Sequence, residues 1–149
     1  MLEPRVKACF EAGAIATGAI LDVQPLGPPY SEFVHDHDLI GKYRKNAESL
    51  GRVFSPPSSK VAGSTDMANV SLLMPTIHPM LGLDSGTAVN HQPEFAAYCR
   101  TPDADRAAVE GALAMALTAV DAASDDETRT RLLGHKTSYS EIGEYPWSF

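Results

Sequence analysis

The longest helical signal in the chain covers residues 101–123, TPDADRAAVEGALAMALTAVDAA. Thr101 is a favourable N-cap, and Pro102 suits the first turn, where the backbone N–H has no helical partner. Apolar side chains then recur at helical spacing, which predicts that one side of the helix enters the core. The predicted core face consists of Val109, Leu113, Ala116, Leu117 and Val120.

Other helices are predicted on both sides of this one. Residues 3–17 have a helical apolar pattern, and residues 94–100 begin as a short helix. Asp36 or Asp38 can cap a further helix that ends at a glycine. Residues 124–127, SDDE, resemble a capping box before a short last helix. The helix after Asp36 carries apolar side chains on one side, namely Leu39, Ile40, Tyr43, Ala47 and Leu50.

Two apolar stretches favour strands. Residues 19–26, AILDVQPL, alternate in polarity and are closed by a Gly-Pro-Pro break. Residues 70–74 are short and mostly apolar, and the prolines that follow limit their extension, so they predict a buried strand. Helices that alternate with short strands predict an α/β fold.

Composition narrows the class of protein. The chain has 149 residues, 44% of them hydrophobic and 21% charged, as is typical of a soluble domain with its own core. A formal net charge of −7 argues against nucleic acid and anionic membranes as partners. No uninterrupted apolar segment reaches the roughly 18 residues of a membrane span.

The N-terminus and the cysteines bear on location. The first residues, MLEPRVKACFEAGA, carry charges where an export signal needs an apolar run, so a cytoplasmic location is expected. Cys9 and Cys99 are then expected to be free thiols, and both are predicted to lie in the core.

Three histidine-containing segments are candidates for a site. Residues 35–38, HDHD, favour a polar, capped helix start, and the alternative is a small metal-binding module. His78 lies between prolines that hold its backbone, which suits either a site or the fold alone. His91, at a junction between a loop and a helix, is a plausible metal ligand, although no second strong ligand is close in sequence.

Residues 63–66, GSTD, are by themselves typical of a turn in which Ser64, Thr65 or Asp66 caps the following turn. The chain contains no GxSxG elbow, no GxxxxGK[ST] phosphate loop, no GxGxxG and no CxxC. These absences give no support to a serine hydrolase, a nucleotide-binding protein or a thiol oxidoreductase.

Taken together, residues 63–83 (GSTDMANVSLLMPTIHPMLGL) and 88–121 (AVNHQPEFAAYCRTPDADRAAVEGALAMALTAVD) resemble the metallopeptidase family M-twenty. The resemblance is to its amidohydrolase branch, which includes p-aminobenzoyl-glutamate hydrolase and acyl-amino-acid or dipeptide hydrolases. Ala68 stands where glycine is usual. The resemblance implies that residues 28–149 are the C-terminal part of a zinc-peptidase-like catalytic domain. Residues 1–27 would be the last helix and strand of a ferredoxin-like lid, which is the dimerisation domain.

The resemblance also implies a site. Family members hold a pair of divalent metals, zinc or manganese, whose bridging water is deprotonated by a glutamate and attacks an amide carbonyl. His91 matches the last metal ligand of the family. The substrate-binding candidates are Ser64, Thr65, Asp66, His78 and Asn90.

The other ligands and the catalytic glutamate belong to the N-terminal half of family members. This chain contains no early His-x-Asp motif and no Glu-Glu pair that would match them, so no catalytic residue is assigned. We therefore expect the C-terminal portion of an amidohydrolase, from a truncated or split product. Its substrate would be a small N-acyl amino acid, a dipeptide or an aminobenzoyl-glutamate-like amide.

The expected protein partners are further copies in a homo-oligomer of the intact enzyme, or the missing N-terminal half. The alternative hypothesis is a truncated, non-catalytic remnant that acts only as an interaction partner. Both hypotheses predict exposed apolar surface where strands are missing.

Overall fold

The computed structural model describes residues 2–24, 27, 29–54 and 63–135. Six helices form within these residues, and the contacts between helices are concentrated between α2 and α5 and between α5 and α6. The helices are α1 (Glu3–Thr17), α2 (His37–Ser49), α3 (Met67–Ser71), α4 (Pro93–Tyr98), α5 (Pro102–Ser124) and α6 (Asp126–Gly134).

Side-chain caps explain where the predicted helices begin. Asp36 accepts a hydrogen bond from the Leu39 N–H at 3.0 Å at the start of α2, and Thr101 caps α5 as predicted. The carboxylate of Asp125 caps α6 by accepting from two backbone N–H groups. Asp125 therefore takes the role that the sequence pattern gave to Ser124, because Ser124 still belongs to the last turn of α5.

The core lies between α2 and α5 and is small. Tyr43 and Ala47 of α2 meet Ala114 of α5, and partly buried apolar side chains pack around them. These surrounding side chains are Leu50, Phe54 and Ile77.

The predicted core face of α5 is wrong for four of its five residues, and Leu117 alone is partly buried. Val109, Leu113 and Val120 are 67%, 44% and 59% exposed. The helix is apolar on nearly all sides, so periodicity did not decide its orientation, and the side with small residues allows α2 to approach closely. The residues buried on that side are Ala107, Gly111, Ala114, Thr118 and Ala122.

The predicted strand at residues 70–74 is also wrong. Met67–Ser71 is a short helix that buries Ala68 and Ser71. Residues 19–24 adopt no regular structure, and residues 25 and 26 of the other predicted strand lie outside the described residues. A strand is held by ladder hydrogen bonds to a neighbour, and the described part of the chain contains no strand that could provide them. The α/β class, the ferredoxin-like lid and the division at residue 27 stay predictions.

Two further features concern exposure. The thiols of Cys9 and Cys99 are both exposed, so the prediction that they lie in the core is wrong. α1 buries none of its residues. Among the described residues, α5 is the one helix that is long and apolar enough to cross a membrane. Of its most apolar 18-residue stretch, 28% is buried.

Candidate functional site

Asn69 and Ser71, which belong to the segment 63–71, form hydrogen bonds with the backbone of residues 29–34. The Asn69 side-chain oxygen accepts a hydrogen bond from the Ser31 N–H at 2.8 Å, and its amide nitrogen donates to the Pro29 carbonyl at 3.1 Å. The hydroxyl of the buried Ser71 accepts from the Val34 N–H at 2.9 Å. The segment 29–34 is thus held by hydrogen bonds to these two side chains, and not by the ladder hydrogen bonds of a strand pair. The sequence pattern alone did not indicate this role, although both residues lie inside the segment 63–71.

The predicted substrate-binding residues Ser64, Thr65 and Asp66 form the turn that precedes α3. The Thr65 hydroxyl accepts a hydrogen bond from the Met67 N–H at 3.3 Å, which is the local capping contact expected of a turn. Ser64 and Asp66 are exposed. The turn interpretation is thereby confirmed, and the role of these residues toward a substrate stays a prediction.

A second connection holds the segment that carries His78. The backbone carbonyl of the buried Thr76 accepts a hydrogen bond from the Asp36 N–H at 3.1 Å. The Thr76 hydroxyl donates to the Met74 carbonyl at 2.8 Å, so its polar groups are satisfied within the fold. The start of α2 and the segment 76–79, which carries His78, are therefore fixed to each other.

This connection brings two histidines together that are distant in the sequence. The Phe33 ring lies 4.4 Å from the His35 ring and 6.3 Å from the His78 ring, measured between centroids. Both histidines line one cavity of about 300 Å³. The other residues that line it are Ile40, Tyr43, Arg44, Phe54, Ile77, Pro79 and Met80. Neither Asn90 nor His91 belongs to the lining of this cavity.

The aspartates of the HDHD segment form ion pairs with α6. Arg131 lies 2.6 Å from an oxygen of Asp36 and 3.1 Å from an oxygen of Asp38, and Thr128 donates to Asp38 at 2.7 Å. Burial acts to raise the pKa of Asp36, but hydrogen bonds from Arg131 and from the Leu39 N–H outweigh it and lower that pKa. The Thr128 hydroxyl is the main cause that lowers the pKa of Asp38.

These contacts decide between the two interpretations of HDHD. Asp36 is the N-cap of α2, so the capped helix start is confirmed. Its carboxylate is already engaged by Arg131, which opposes a role as a metal ligand. Within the residues that the structure describes, no group of three or more His, Cys, Asp or Glu side chains could hold a metal ion.

The loop that leads to His91 is fixed to α5 at two points. The Arg52 guanidinium donates to the Gly82 carbonyl at 3.0 Å, and it pairs with Glu110 of α5 at 2.7 Å. Two residues further on, the Asp84 N–H donates to a carboxylate oxygen of Asp103 at 3.1 Å. Ion pairing between Arg52 and Glu110 therefore couples the loop to the first half of α5.

Close packing adds a third contact. The Leu81 side chain occupies the space beside Gly111, where a Cβ atom would overlap it. Gly111 is buried, so the glycine allows the loop to lie directly on the helix. This requirement for glycine could not be predicted from the sequence, because a glycine inside a helix only weakens the helical signal.

His91 differs from its surroundings in backbone conformation. It is the one non-glycine residue with positive φ in the described ranges, at 64°, and this left-handed region is unfavourable for a side chain with Cβ. Its side chain and that of Asn90 are exposed. An exposed imidazole held by a strained backbone at the start of α4 is available to a ligand or to a neighbouring surface.

The residues present do not by themselves fit the metal pair that the family resemblance implies. A site of this kind needs several His, Asp or Glu ligands at each ion. His91 stands without a second described ligand in a suitable group. No catalytic step through a metal is therefore derived from this chain.

Comparison with known proteins gives two relatives. The chain is 30% identical to the Xaa-Arg dipeptidase of mouse over 124 residues, which cover 81% of this chain and 28% of the mouse protein. The human Xaa-Arg dipeptidase is 29% identical over the same length and coverage. The chain is a distant relative of dipeptidases. No protein-family model and no solved structure matches it.

The comparison supports the coarser part of the sequence interpretation. A relationship to peptidases that act on dipeptides is confirmed, whereas the amidohydrolase branch stays a prediction. The chain spans 28% of the length of these relatives, so their activity belongs to a much longer protein.

Proposed function

We propose that this chain forms the C-terminal part of the catalytic domain of a metal-dependent peptidase that hydrolyses dipeptides or related small amides. The observation that carries the proposal is the 30% identity to an Xaa-Arg dipeptidase over 81% of the chain. The aligned relative is named for dipeptides with C-terminal arginine, and this is the substrate class to test first. A net charge of −7 would favour the approach of such a cation.

His91 is the residue assigned to the metal. Its imidazole is exposed and its backbone is held in the left-handed region between an anchored loop and α4. Neutral imidazole is a good ligand for zinc. The proposal places the other ligands of the divalent metal pair outside the described residues, because those residues provide no further ligands in a suitable group.

The substrate-facing candidates lie in three separate segments of the chain. Asn90 adjoins the metal ligand, His78 lines the cavity beside Phe33, and the third candidate is the turn 64–66. Amide, imidazole and hydroxyl groups of this kind can donate to a substrate carboxylate or accept from its amide.

A second candidate function is that of a non-catalytic interaction partner. The observation in its favour is the exposure of large apolar side chains on α1 and α5, including Phe10, Ile15 and Val109. This candidate and the first share one fold and differ in whether the metal site is completed.

A chimaera separates the two candidates. The 124 aligned residues of the mouse Xaa-Arg dipeptidase would be replaced by the matching residues of this chain. We expect the chimaera to retain divalent metal and to hydrolyse dipeptides with C-terminal arginine. The variant His91→Asn keeps a residue that tolerates the left-handed backbone but removes the imidazole. It should lose metal and at least about 100-fold in kcat, since even outer-shell changes cost roughly 10- to 100-fold.

The matched control is His37→Asn, which changes an exposed histidine at the start of α2. Its metal content and rate should equal those of the parent chimaera. Unchanged metal content in His91→Asn would remove His91 from the site. A folded chimaera without hydrolysis or metal would favour the interaction partner.

A further inference from the structure

α5 has two sides of different character. At about 100° per residue, the buried side with Ala114 and Thr118 lies opposite a second row of residues. This second row is named here the outward face and consists of Val109, Leu113, Ala116 and Val120. Leu113 is 44% exposed and the two valines are more exposed than that.

The arrangement is the reverse of what burial favours. Valine and leucine gain more free energy than alanine or glycine when they leave water, so a surface helix normally turns its larger apolar residues toward the core. Here alanine and glycine are buried and the larger residues face outward. Residues 111–120, GALAMALTAV, contain no charge on either side, and a helix that is apolar all round is buried all round.

We infer that the outward face of α5 is an interface with the rest of a dipeptidase-sized polypeptide, the part to which this chain has no counterpart. This inference rests on the proposed function and names the partner of that fold. The matched segment is only 28% of each relative, so most of such a protein is available to cover α5. The larger outward side chains then contribute the main packing of the complete domain.

A second copy of the chain accounts less well for the surface. A two-fold dimer covers one self-complementary patch. Exposed apolar side chains occur on several separate elements, for example Phe10 on α1, Met80 in the loop and Val120 on α5. Extensive burial by other parts of one polypeptide covers all of them.

A lipid bilayer is also a poor occupant. The neighbouring helix α2 has the sequence HDLIGKYRKNAES, and Glu110 within α5 forms an ion pair with Arg52. A span formed by α5 would carry these charges toward the hydrocarbon, which is costly.

Cysteine labelling tests the inference without destabilising the helix. Cys9 and Cys99 are first replaced by serine, and Leu113→Cys or Val120→Cys then reports on the outward face. Lys45→Cys is the matched control, because Lys45 is a charged, exposed residue of α2 and no part of the apolar surface. Each variant is prepared as the free chain and within the mouse dipeptidase chimaera, and the alkylation rate at that cysteine is followed by peptide mass spectrometry.

We expect all three cysteines to react rapidly in the free chain. In the chimaera, the rates at positions 113 and 120 should fall by at least about tenfold, because a buried thiol reacts only during local opening. The control at position 45 should keep its rate. Equal rates at position 113 in both proteins would overturn the inference.

Other outcomes are equally informative. Protection in the free chain that rises with protein concentration would make a second copy the occupant. Protection of the free chain by phosphatidylcholine vesicles would make it a bilayer. Either result overturns the inference, as does a chimaera that cannot fold. A chimaera that protects α5 but hydrolyses no dipeptide refutes the proposed function alone, and one that hydrolyses dipeptides with α5 fully reactive refutes the interface alone.

Discussion

The side chain of Asn69 is hydrogen-bonded to the backbone of Ser31 over 2.8 Å, and its amide nitrogen also donates to the Pro29 carbonyl. One side chain thus satisfies an N–H and a C=O of the same extended segment. In the sequence, Asn69 belongs to the segment 63–71, which is part of the family resemblance. In the structure it holds the segment 29–31, which leads to Phe33, against α3.

Removal of the Asn69 amide should therefore destabilise the chain. In Asn69→Ala, two part-buried backbone groups lose their partners, and we expect a loss of about 1–3 kcal/mol in the free energy of unfolding. Urea denaturation followed by circular dichroism measures it. Asn90→Ala is the control, because Asn90 is exposed, and it should stay within about 0.5 kcal/mol of the parent. Equal stability of the two variants would contradict the role of Asn69.

Gly111 and Gly41 should respond differently to alanine. Both lie inside helices, where Gly→Ala normally stabilises by about 1 kcal/mol. No atom lies within 4 Å of a Cβ on Gly41, so Gly41→Ala should show this gain. A Cβ on Gly111 would overlap the end of the Leu81 side chain, which is 40% exposed and must turn aside, so Gly111→Ala should lose this gain.

The double variant Gly111→Ala with Leu81→Ala tests the cause of that loss. Truncation of Leu81 frees the space, so the double variant should be more stable than the two separate effects added together would predict. Thermal denaturation of the four proteins gives the coupling. Additive effects would show that Leu81 does not limit the residue at position 111.

Acid should weaken the contact between α2 and α6. Burial opposes ionisation of Asp36, but the Arg131 and Leu39 hydrogen bonds prevail, so the pKa of Asp36 is lowered in the folded chain. A carboxylate with a lowered folded pKa contributes stability above its unfolded pKa, about 4, and loses that contribution as the pH falls through the folded pKa. Arg131→Gln should therefore reduce the loss of stability between pH 6 and about pH 3.

Urea midpoints at both pH values check this expectation. Arg44→Gln serves as the control, because Arg44 forms an exposed pair with Glu48 within one helix. Its pH dependence should match that of the parent. If Arg131→Gln has the parent's pH dependence as well, the ion pairs with Asp36 and Asp38 do not contribute to the pH dependence of stability.

Both thiols of the native chain should be reactive. Cys9 and Cys99 are exposed, so Ellman's reagent should modify two thiols per chain without denaturant. Modification of a single thiol, or of none until urea is added, would contradict the structure. Serine replacement at either position should leave the unfolding free energy within about 0.5 kcal/mol of the parent.

Local signals in the sequence predicted the helices well. Asp36, Thr101 and a glycine after α1 are start or stop residues whose effect depends on a few neighbouring backbone groups. The relationship to dipeptide peptidases was also accessible from the sequence, because it depends on linked motifs that an alignment can detect.

Orientation and pairing required the tertiary structure. The residues 111–120 are apolar on every side, so the sequence did not determine which side of α5 meets α2, and contact of small residues with α2 decided it. Residues 67–71 form a helix instead of a strand because local turn bonds satisfy their backbone where no neighbouring strand is available among the described residues.

The sequence by itself therefore determined the start of α5 at Thr101 and the kinship with dipeptidases, both of which depend on order along the chain. Only the tertiary structure decided that Asn69 holds the segment 29–31, that Leu81 needs Gly111, and that His35 lies near His78. The reason is physical. These relationships join residues far apart along the chain, and their geometry depends on packing that no local pattern specifies.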